Sequence, residues 1–201
     1  MKDGEFSLNY FHIDSGYAPR GKRLLDVGET LRTDSGLPNP YYEQMCDLNH
    51  VIGANGKDHR LREFLQSSDC HAFPSRSLAK CFDGVIDTYI RALREMEFEN
   101  VRREKYAGRP SRTRCIWLID SLDGARYWLR RLGKAETARI VRVEVEGVLH
   151  QADGKLLSSE SRSISELRQA ADRYWSGVLN PDSEKEILLD GWMSVSAIEK
   201  S

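Results

Sequence analysis

Four polar residues lie within or shortly after apolar, strand-like segments of this sequence: His12, Ser121, Tyr127 and Glu186. His12 lies in the middle of "NYFHIDSG", and a buried imidazole needs a hydrogen-bond partner or a task. Ser121 and Tyr127 follow the apolar stretch "IWLI", and Glu186 leads the apolar run "EILL". A carboxylate can accept a proton or stabilise a developing positive charge, an imidazole can bind a hydroxyl group, and an aromatic ring can stack on a cationic ring.

Each of these residues also has a purely structural interpretation. His12 can be a core histidine bonded to a backbone carbonyl, and Tyr127 can belong to the apolar stripe of a short helix. Ser121 precedes "LDGA" and is a typical helix N-cap. Glu186 can be an exposed residue of an edge strand, with Glu184 as a rival two residues away on the same face. Two further candidates, Trp117 in "IWLI" and Arg112 in "PSR", can likewise have structural roles: Trp117 can pack in the core, and Arg112 can cap the end of the preceding helix.

The elements that must position these residues can be predicted from periodicity and turn signals. Apolar residues from Phe82 to Leu93 recur at steps of three and four, which predicts an amphipathic helix from about Ser77 to about Lys105. Strands come early and late with helices between them and without regular βαβ alternation, so the predicted fold class is α+β. The predicted strands are 9–14, 114–120, 138–149, 184–191 and 192–199, and the other predicted helices are 121–133 and 163–178.

Length and composition are those of an ordinary soluble globular domain of 201 residues, with 40% hydrophobic and 30% charged residues. No apolar run approaches the roughly 20 residues of a membrane span. The four cysteines lack CxxC spacing, so we expect free thiols in a reducing compartment, the cytoplasm. No metal site is expected, because His50 and His59 are too far apart and Cys70-His71 lacks a second pair.

A net charge of −1 conceals a basic central segment. From Val101 to Arg142 there are 12 Lys or Arg and four Asp or Glu, which gives +8 for the segment and −9 for the remainder. Such a segment is a candidate surface for phosphate-bearing ligands or nucleic acid. The alternative is a set of solvated helix faces whose cations pair with local acids.

The order of the polar motifs resembles the ADP-ribosyltransferase superfamily of the His–Tyr–Glu type. Members carry a His on the first strand, a strand–Ser–helix–Tyr segment in the middle and a late strand led by Glu. "YFHIDSG", "IWLIDSLDGARYW" and "EKEILLDG" are similar to these motifs in that order, between Asn9 and Ile198. The stretch "ENVRREKYAGRPSRTRCIWLID" resembles little-characterised prokaryotic families of the fold, in which a long helix ends in a Pro-Ser-Arg turn. The resemblance implies one domain over residues 1–201, with a split antiparallel β core, flanking helices and a loop and helical insertion at about 24–106.

The resemblance also implies a role for each matched residue, with NAD as the substrate. Glu186 would be the catalytic carboxylate that stabilises the oxocarbenium-like ribose formed as nicotinamide leaves. His12 would bind a ribose hydroxyl on the adenosine side, and Tyr127 would stack on nicotinamide. Backbone groups of Ile13 and Asp14 would hold the carboxamide. The remaining residues implied in NAD binding are Ser121, Trp117 (where many relatives have Tyr or Phe) and the candidate pyrophosphate ligands Arg20, Arg23 and Arg112.

The function implied by the resemblance is transfer of ADP-ribose from NAD⁺ to a macromolecular acceptor, with RNA or DNA slightly favoured over protein because of the basic segment. An intracellular toxin or phage-defence effector with an antitoxin or inhibitor partner would fit the habits of the family. "EKE" at 184–186 matches the Glu-x-Glu pattern of arginine-directed transferases, so a protein acceptor stays open. The alternatives are an RNA 2′-phosphotransferase-like enzyme, for which only His12 is well placed, and a non-catalytic NAD-, nucleotide- or RNA-binding module.

Overall fold

The structure, a computed structural model, describes residues 10–16, 23–34 and 36–199, so that Arg20 of the candidate set lies outside the described residues. Helices and antiparallel strands are both present in the described residues, and the predicted α+β class is confirmed. Over the same residues, no helix combines the length and the apolar character needed to cross a bilayer.

A long antiparallel ribbon of two strands, β6 (Arg139–Asp153) and β7 (Lys185–Glu199), forms the centre of the fold. The alternation in "VRVEVE" explains the first half of β6, because Val141 and Val143 are buried whereas Glu144 is exposed. The structure corrects the prediction of two short closing strands, 184–191 and 192–199, because a single strand runs through both.

Gly147 and Gly191 explain why that strand continues where the sequence suggests a turn. The two glycines face each other across the ribbon, with φ of 142° and 155°. A Cβ atom on Gly147 would lie 2.2 Å from the Asp190 carbonyl oxygen, and one on Gly191 would lie 2.1 Å from the Glu146 carbonyl oxygen. Glycine is therefore required by close approach of the two backbones within the ribbon.

Three short strands pair with the edges of the ribbon. The first strand, β1 (Tyr10–Asp14), lies along β6, while β2 (Thr30–Arg32) and β5 (Ile116–Leu118) lie along β7. Phe11 and Ile119 exchange backbone hydrogen bonds of 2.8 and 2.9 Å, which join β1 to the end of β5. Because β1 and β5 flank opposite edges of the ribbon, this bridge requires the sheet to curl back on itself. The ends of β1 and β5 are thereby adjacent.

Helices cover two surfaces of the curled sheet. The long helix α4 (Ser75–Lys105) packs with α6 (Ile164–Ser176) over a core that includes Leu188, Phe98 and Trp175. The predicted start and end of α4 are correct to within two residues. The short helix α5 (Leu122–Arg131) packs against β1 and the beginning of β6.

The segment before α4 contains more helix and strand than the sequence predicts, since residues 22–42 have a loop-like sequence and residues 54–60 that of a turn. Asn39 caps a helix that begins with Pro40, and its side chain accepts a hydrogen bond from the Tyr42 backbone N–H at 2.9 Å. Asn55 and Gly56 both have positive φ, 50° and 74°, and form the two-residue turn of a hairpin. The elements of this segment after β2 are α1 (Pro40–Cys46), β3 (Val51–Ala54), β4 (Lys57–Arg60), α2 (Leu61–Gln66) and α3 (Ser68–Ala72).

Candidate active site

Glu186 is held by three hydrogen-bond donors at the beginning of β7. Strand alternation places Glu186 on the same face as Leu188, toward α4 and α6, and its side chain is 11% exposed. Its Oε1 atom accepts hydrogen bonds from Trp117 Nε1 at 2.8 Å, from the Tyr174 hydroxyl at 2.9 Å and from Arg112 Nη1. In the described part of the chain all three bonds converge on Oε1, and Oε2 carries none.

Arg112 is a buried cation that lies between two carboxylates. Its side chain is 4% exposed. Nε donates to Glu95 Oε2 at 2.7 Å and Nη2 donates to Glu95 Oε1 at 3.2 Å, whereas Nη1 donates to Glu186 and, at 2.6 Å, to the Tyr174 hydroxyl. Arg112 was predicted to bind pyrophosphate, but all three nitrogens of its guanidinium group already donate hydrogen bonds to side chains of the protein.

The charges of this cluster balance within the protein. Arg94 donates to Glu95 at 2.9 Å and to the Leu157 carbonyl at 2.7 Å, so two arginines face two glutamates. Burial by itself lowers the pKa of Arg112, but the neighbouring Glu186 and Glu95 charges raise it well above its usual value. Burial would likewise raise the pKa of Glu95, but Arg112 and Arg94 outweigh it and hold that pKa below its usual value. For both Arg112 and Glu95, charge pairing therefore outweighs burial and favours the charged form.

A second buried ion pair fixes the turn that presents Arg112. Glu99, one turn beyond Glu95 on α4, accepts hydrogen bonds from Arg102 at 2.7 and 3.0 Å and from the Ser111 hydroxyl at 3.0 Å. Arg102 also donates to the Ala107 and Arg109 carbonyls at 3.2 and 3.0 Å. The end of the long helix and the Pro-Ser-Arg turn are thus tied together directly before β5.

Trp117 connects the first strand with the beginning of the last. Its backbone carbonyl lies 2.9 Å from His12 Nδ1, and its indole Nε1 donates to Glu186. A carbonyl can only accept, so Nδ1 of His12 carries the proton in this hydrogen bond. Two residues predicted to share a site, one near each end of the chain, therefore contact the same tryptophan. The Tyr41 ring on α1 packs edge-on against Trp117 at a centroid distance of 5.4 Å.

Tyr127 and Glu184 belong to a neighbouring surface network. Tyr127 is 44% exposed, and its hydroxyl accepts a hydrogen bond from Arg131 at 2.8 Å. Arg131 also pairs with Glu184 at 2.6 Å, and the Glu184 side chain is 25% exposed, more than twice the value for Glu186. Lys185 pairs with Asp120 at 2.7 Å. The chain around the beginning of β7 thus contacts α5 through Glu184, the residue Asp120 before α5 through Lys185, and the buried cluster through Glu186.

The other predicted site residues have local structural contacts. Ser121 caps α5 by accepting from the Gly124 N–H at 3.2 Å, and Ile13 packs against the core beneath α5. The buried carboxylate of Asp14 accepts from the backbone N–H of Leu25, and Arg23 is an exposed residue paired with Asp26 and Glu29. In the part of the chain that the structure describes, no group of three or more His, Cys, Asp or Glu residues could hold a metal ion.

Four polar members of the buried cluster were not predicted from the sequence: Tyr41, Arg94, Glu95 and Tyr174. Glu95 did leave a signal, because it lies three residues before Phe98 and three after Ala92, within the apolar stripe of α4. A charged residue in such a stripe indicates a buried, paired charge. Tyr174 gave no comparable signal, since a tyrosine is ordinary on the buried face of α6.

The basic segment is largely neutralised by ion pairs within the chain. Eight of its 12 cations form such pairs with Asp or Glu among the described residues, and seven of the eight have a partner outside the segment. The eight are Arg102, Arg103, Lys105, Arg112, Arg126, Arg131, Arg139 and Arg142. The net charge of the segment therefore overstates the positive charge it presents to a partner.

Residues 10–201 match a protein family described as "Protein of unknown function (DUF2441)". No curated protein matches the sequence. The family match includes every residue of the buried cluster and all of the described candidate residues. The cluster therefore lies within the part of the chain by which the family is defined.

Proposed function

We propose that this chain, which belongs to the DUF2441 family of proteins of unknown function, is an NAD-dependent ADP-ribosyltransferase that modifies a macromolecule. The observation that carries the proposal is that Trp117 contacts both His12 and Glu186, which lie near opposite ends of the chain. The first, middle and last motifs of the resemblance are thereby joined by hydrogen bonds. The curled antiparallel sheet, in which β1 meets β5, is the arrangement we identify with the split core of that superfamily.

Glu186 has the features required of the catalytic carboxylate. Its Oε1 is fixed by three donors, so Oε2 is the atom we assign to the ribose, where it would bind a hydroxyl and stabilise positive charge. NAD⁺ would supply a glycosidic bond to a cationic leaving group. Low exposure of Glu186 strengthens its electrostatic effect, because little water is present to screen the carboxylate.

His12 and Tyr127 are assigned to orienting the dinucleotide. We assign His12 to a ribose hydroxyl, as the resemblance implies, and its Nδ1 hydrogen bond to the Trp117 carbonyl orients the ring. The exposed ring of Tyr127 is assigned to nicotinamide, with Arg131 and Glu184 fixing the phenol. Of the two candidate pyrophosphate ligands that the structure describes, Arg112 is buried and Arg23 is exposed, so we assign the pyrophosphate to Arg23.

The test is consumption of labelled NAD⁺ by the purified chain in the presence of total RNA, DNA or a protein lysate. We expect label on one acceptor class, nucleic acid being tried first, and loss of that label in Glu186→Gln. Glu184→Gln is the matched carboxylate two residues away, and Glu104→Gln, at an exposed pair with Arg168, controls for loss of one surface charge. Thermal unfolding of each variant separates loss of activity from loss of structure.

Each outcome of this experiment has a different meaning. Label that disappears only in Glu184→Gln moves the catalytic assignment by two residues and contradicts the present one. Release of nicotinamide without a labelled acceptor identifies a glycohydrolase. No NAD⁺ consumption with any acceptor refutes the proposal and favours a binding module of the same fold.

A further inference from the structure

We propose that Glu95 is a positioning residue that determines how Arg112 holds Glu186, leaving one oxygen of that carboxylate for the substrate. The inference rests on the proposed function for its kinetic consequence. It concerns a residue on α4, outside all three motifs, that reaches Glu186 only through a guanidinium group.

The two glutamates that contact Arg112 are held in different ways. Glu95 accepts on both oxygens: Oε2 receives Arg112 Nε, and Oε1 receives Arg112 Nη2 at 3.2 Å and Arg94 Nη2 at 2.9 Å. Glu186 accepts only on Oε1 within the described residues. A purely structural ion pair between arginine and glutamate commonly uses both carboxylate oxygens, as the Glu95 pair does.

The geometry of guanidinium explains the difference. Arginine presents two adjacent donors along its Nε–Nη2 edge, and Glu95 occupies that edge, which orients the guanidinium so that Nη1 faces Glu186. Tyr174 shares this arrangement, because its hydroxyl accepts from Nη1 at 2.6 Å and donates to Glu186 at 2.9 Å. Glu95 thus fixes the orientation in which Nη1 of Arg112 contacts Oε1 of Glu186, and it balances the arginine charge.

Two conservative substitutions test the positioning. Glu95→Gln keeps the size of the side chain but weakens its hold on the guanidinium, and Tyr174→Phe removes only the bridging hydroxyl. We expect each to lower kcat for NAD⁺ consumption about tenfold or more, with KM changed less than about threefold, because the loss falls on the fixed carboxylate and not on nucleotide binding. Unchanged kcat in Glu95→Gln would overturn the proposal, whatever the result for Tyr174→Phe.

Trp175→Phe is the matched control for a general loss of core structure. Trp175 is fully buried in the same core, and its indole Nε1 donates to the Phe98 carbonyl at 2.7 Å, away from Glu186. We expect this variant to lower the unfolding temperature at least as much as Tyr174→Phe while kcat changes less than about twofold. If kcat falls equally in Trp175→Phe and Tyr174→Phe, the effect is structural and the positioning role is wrong.

An NMR measurement separates this proposal from the proposed function. The indole N–H resonance of Trp117, identified by its loss in Trp117→Phe, reports the hydrogen bond to Glu186 without any need for turnover. We expect it to shift in Glu186→Gln and in Glu95→Gln and to stay in place in Trp175→Phe. If the enzyme is active but the chemical shift of the Trp117 indole N–H is unchanged in Glu95→Gln, the positioning role alone is refuted. If the wild-type chain is inactive, the proposed function is refuted, and the catalytic consequence of Glu95 is refuted with it.

Discussion

The ion pair between Arg112 and Glu186 allows a quantitative test of the buried cluster. Arg112→Met removes a buried cation from between two carboxylates and leaves Glu186 with two neutral donors, Trp117 and Tyr174. Breaking a buried pair by removing one partner costs about 3–5 kcal/mol, because the other charge stays desolvated. Glu186→Gln costs less, about 1–3 kcal/mol, since Arg112 keeps its bidentate contact with Glu95.

The double variant distinguishes a coupled pair from two independent residues. Arg112→Met with Glu186→Gln no longer contains the unpaired carboxylate, so we expect it to be more stable than the sum of the single variants by at least about 1.5 kcal/mol. That coupling corresponds to roughly a tenfold change in the unfolding equilibrium constant. Urea unfolding at about pH 7, followed by tryptophan fluorescence and far-UV circular dichroism with similar m-values for all variants, measures it.

Additivity would refute this account of the cluster. If the single effects sum to the double effect within about 0.5 kcal/mol, Arg112 and Glu186 do not stabilise each other in solution. The surface pair of Arg168 with Glu104 provides the control, since both side chains are substantially exposed. We expect no resolvable coupling from Arg168→Met with Glu104→Gln, because solvent screens that pair.

Three further predictions concern the structure around the site. Gly191→Ala places a Cβ 2.1 Å from the Glu146 carbonyl oxygen, so we expect it to abolish soluble expression or to lower the unfolding temperature by at least about 10 °C. As a control, Gly84→Ala adds its Cβ in open space on α4, and we expect it to stabilise the chain by about 0.5–1 kcal/mol. A Gly191→Ala protein as stable as wild type would contradict the ribbon geometry. Ser121→Ala is expected to cost about 1 kcal/mol in urea unfolding and Ser121→Asp to recover most of it, since Asp also caps helices; equal loss in both would argue against the cap. Burial lowers the pKa of His150 to about 4, so between about pH 6.5 and pH 4 the unfolded chain binds a proton that the folded chain does not. We therefore expect this residue to lower the free energy of unfolding by at most about 1.4 kcal/mol for each pH unit of acidification in that range. If His150→Gln shows the same dependence of unfolding free energy on pH as wild type, His150 is not the cause.

Local features of the fold were accessible from the sequence because they depend on neighbouring residues. The three- and four-residue spacing of apolar side chains identified α4, and Ser121 marked the beginning of α5. By contrast, Gly191 has the local signature of a turn, and the prediction of two strands around it was wrong. Glycine is required at position 191 because Gly147, on the neighbouring strand and much earlier in the chain, approaches it closely. A contact between residues so far apart in the sequence leaves no local pattern.

Periodicity, capping and turn chemistry act over a few residues, so the order of the motifs, the residue types available for chemistry and the three longest helices could be predicted from the amino-acid sequence, whereas the short elements α1, α2, α3, β2, β3 and β4 could not. Tertiary packing brings Glu186 into the buried cluster while Glu184 pairs with Arg131 at the surface. It also makes Arg112 face two carboxylates instead of solvent. The physical reason is that charge pairing depends on strand register, helix packing and desolvation, which bring together residues such as Glu95 and Glu186 that lie far apart along the chain.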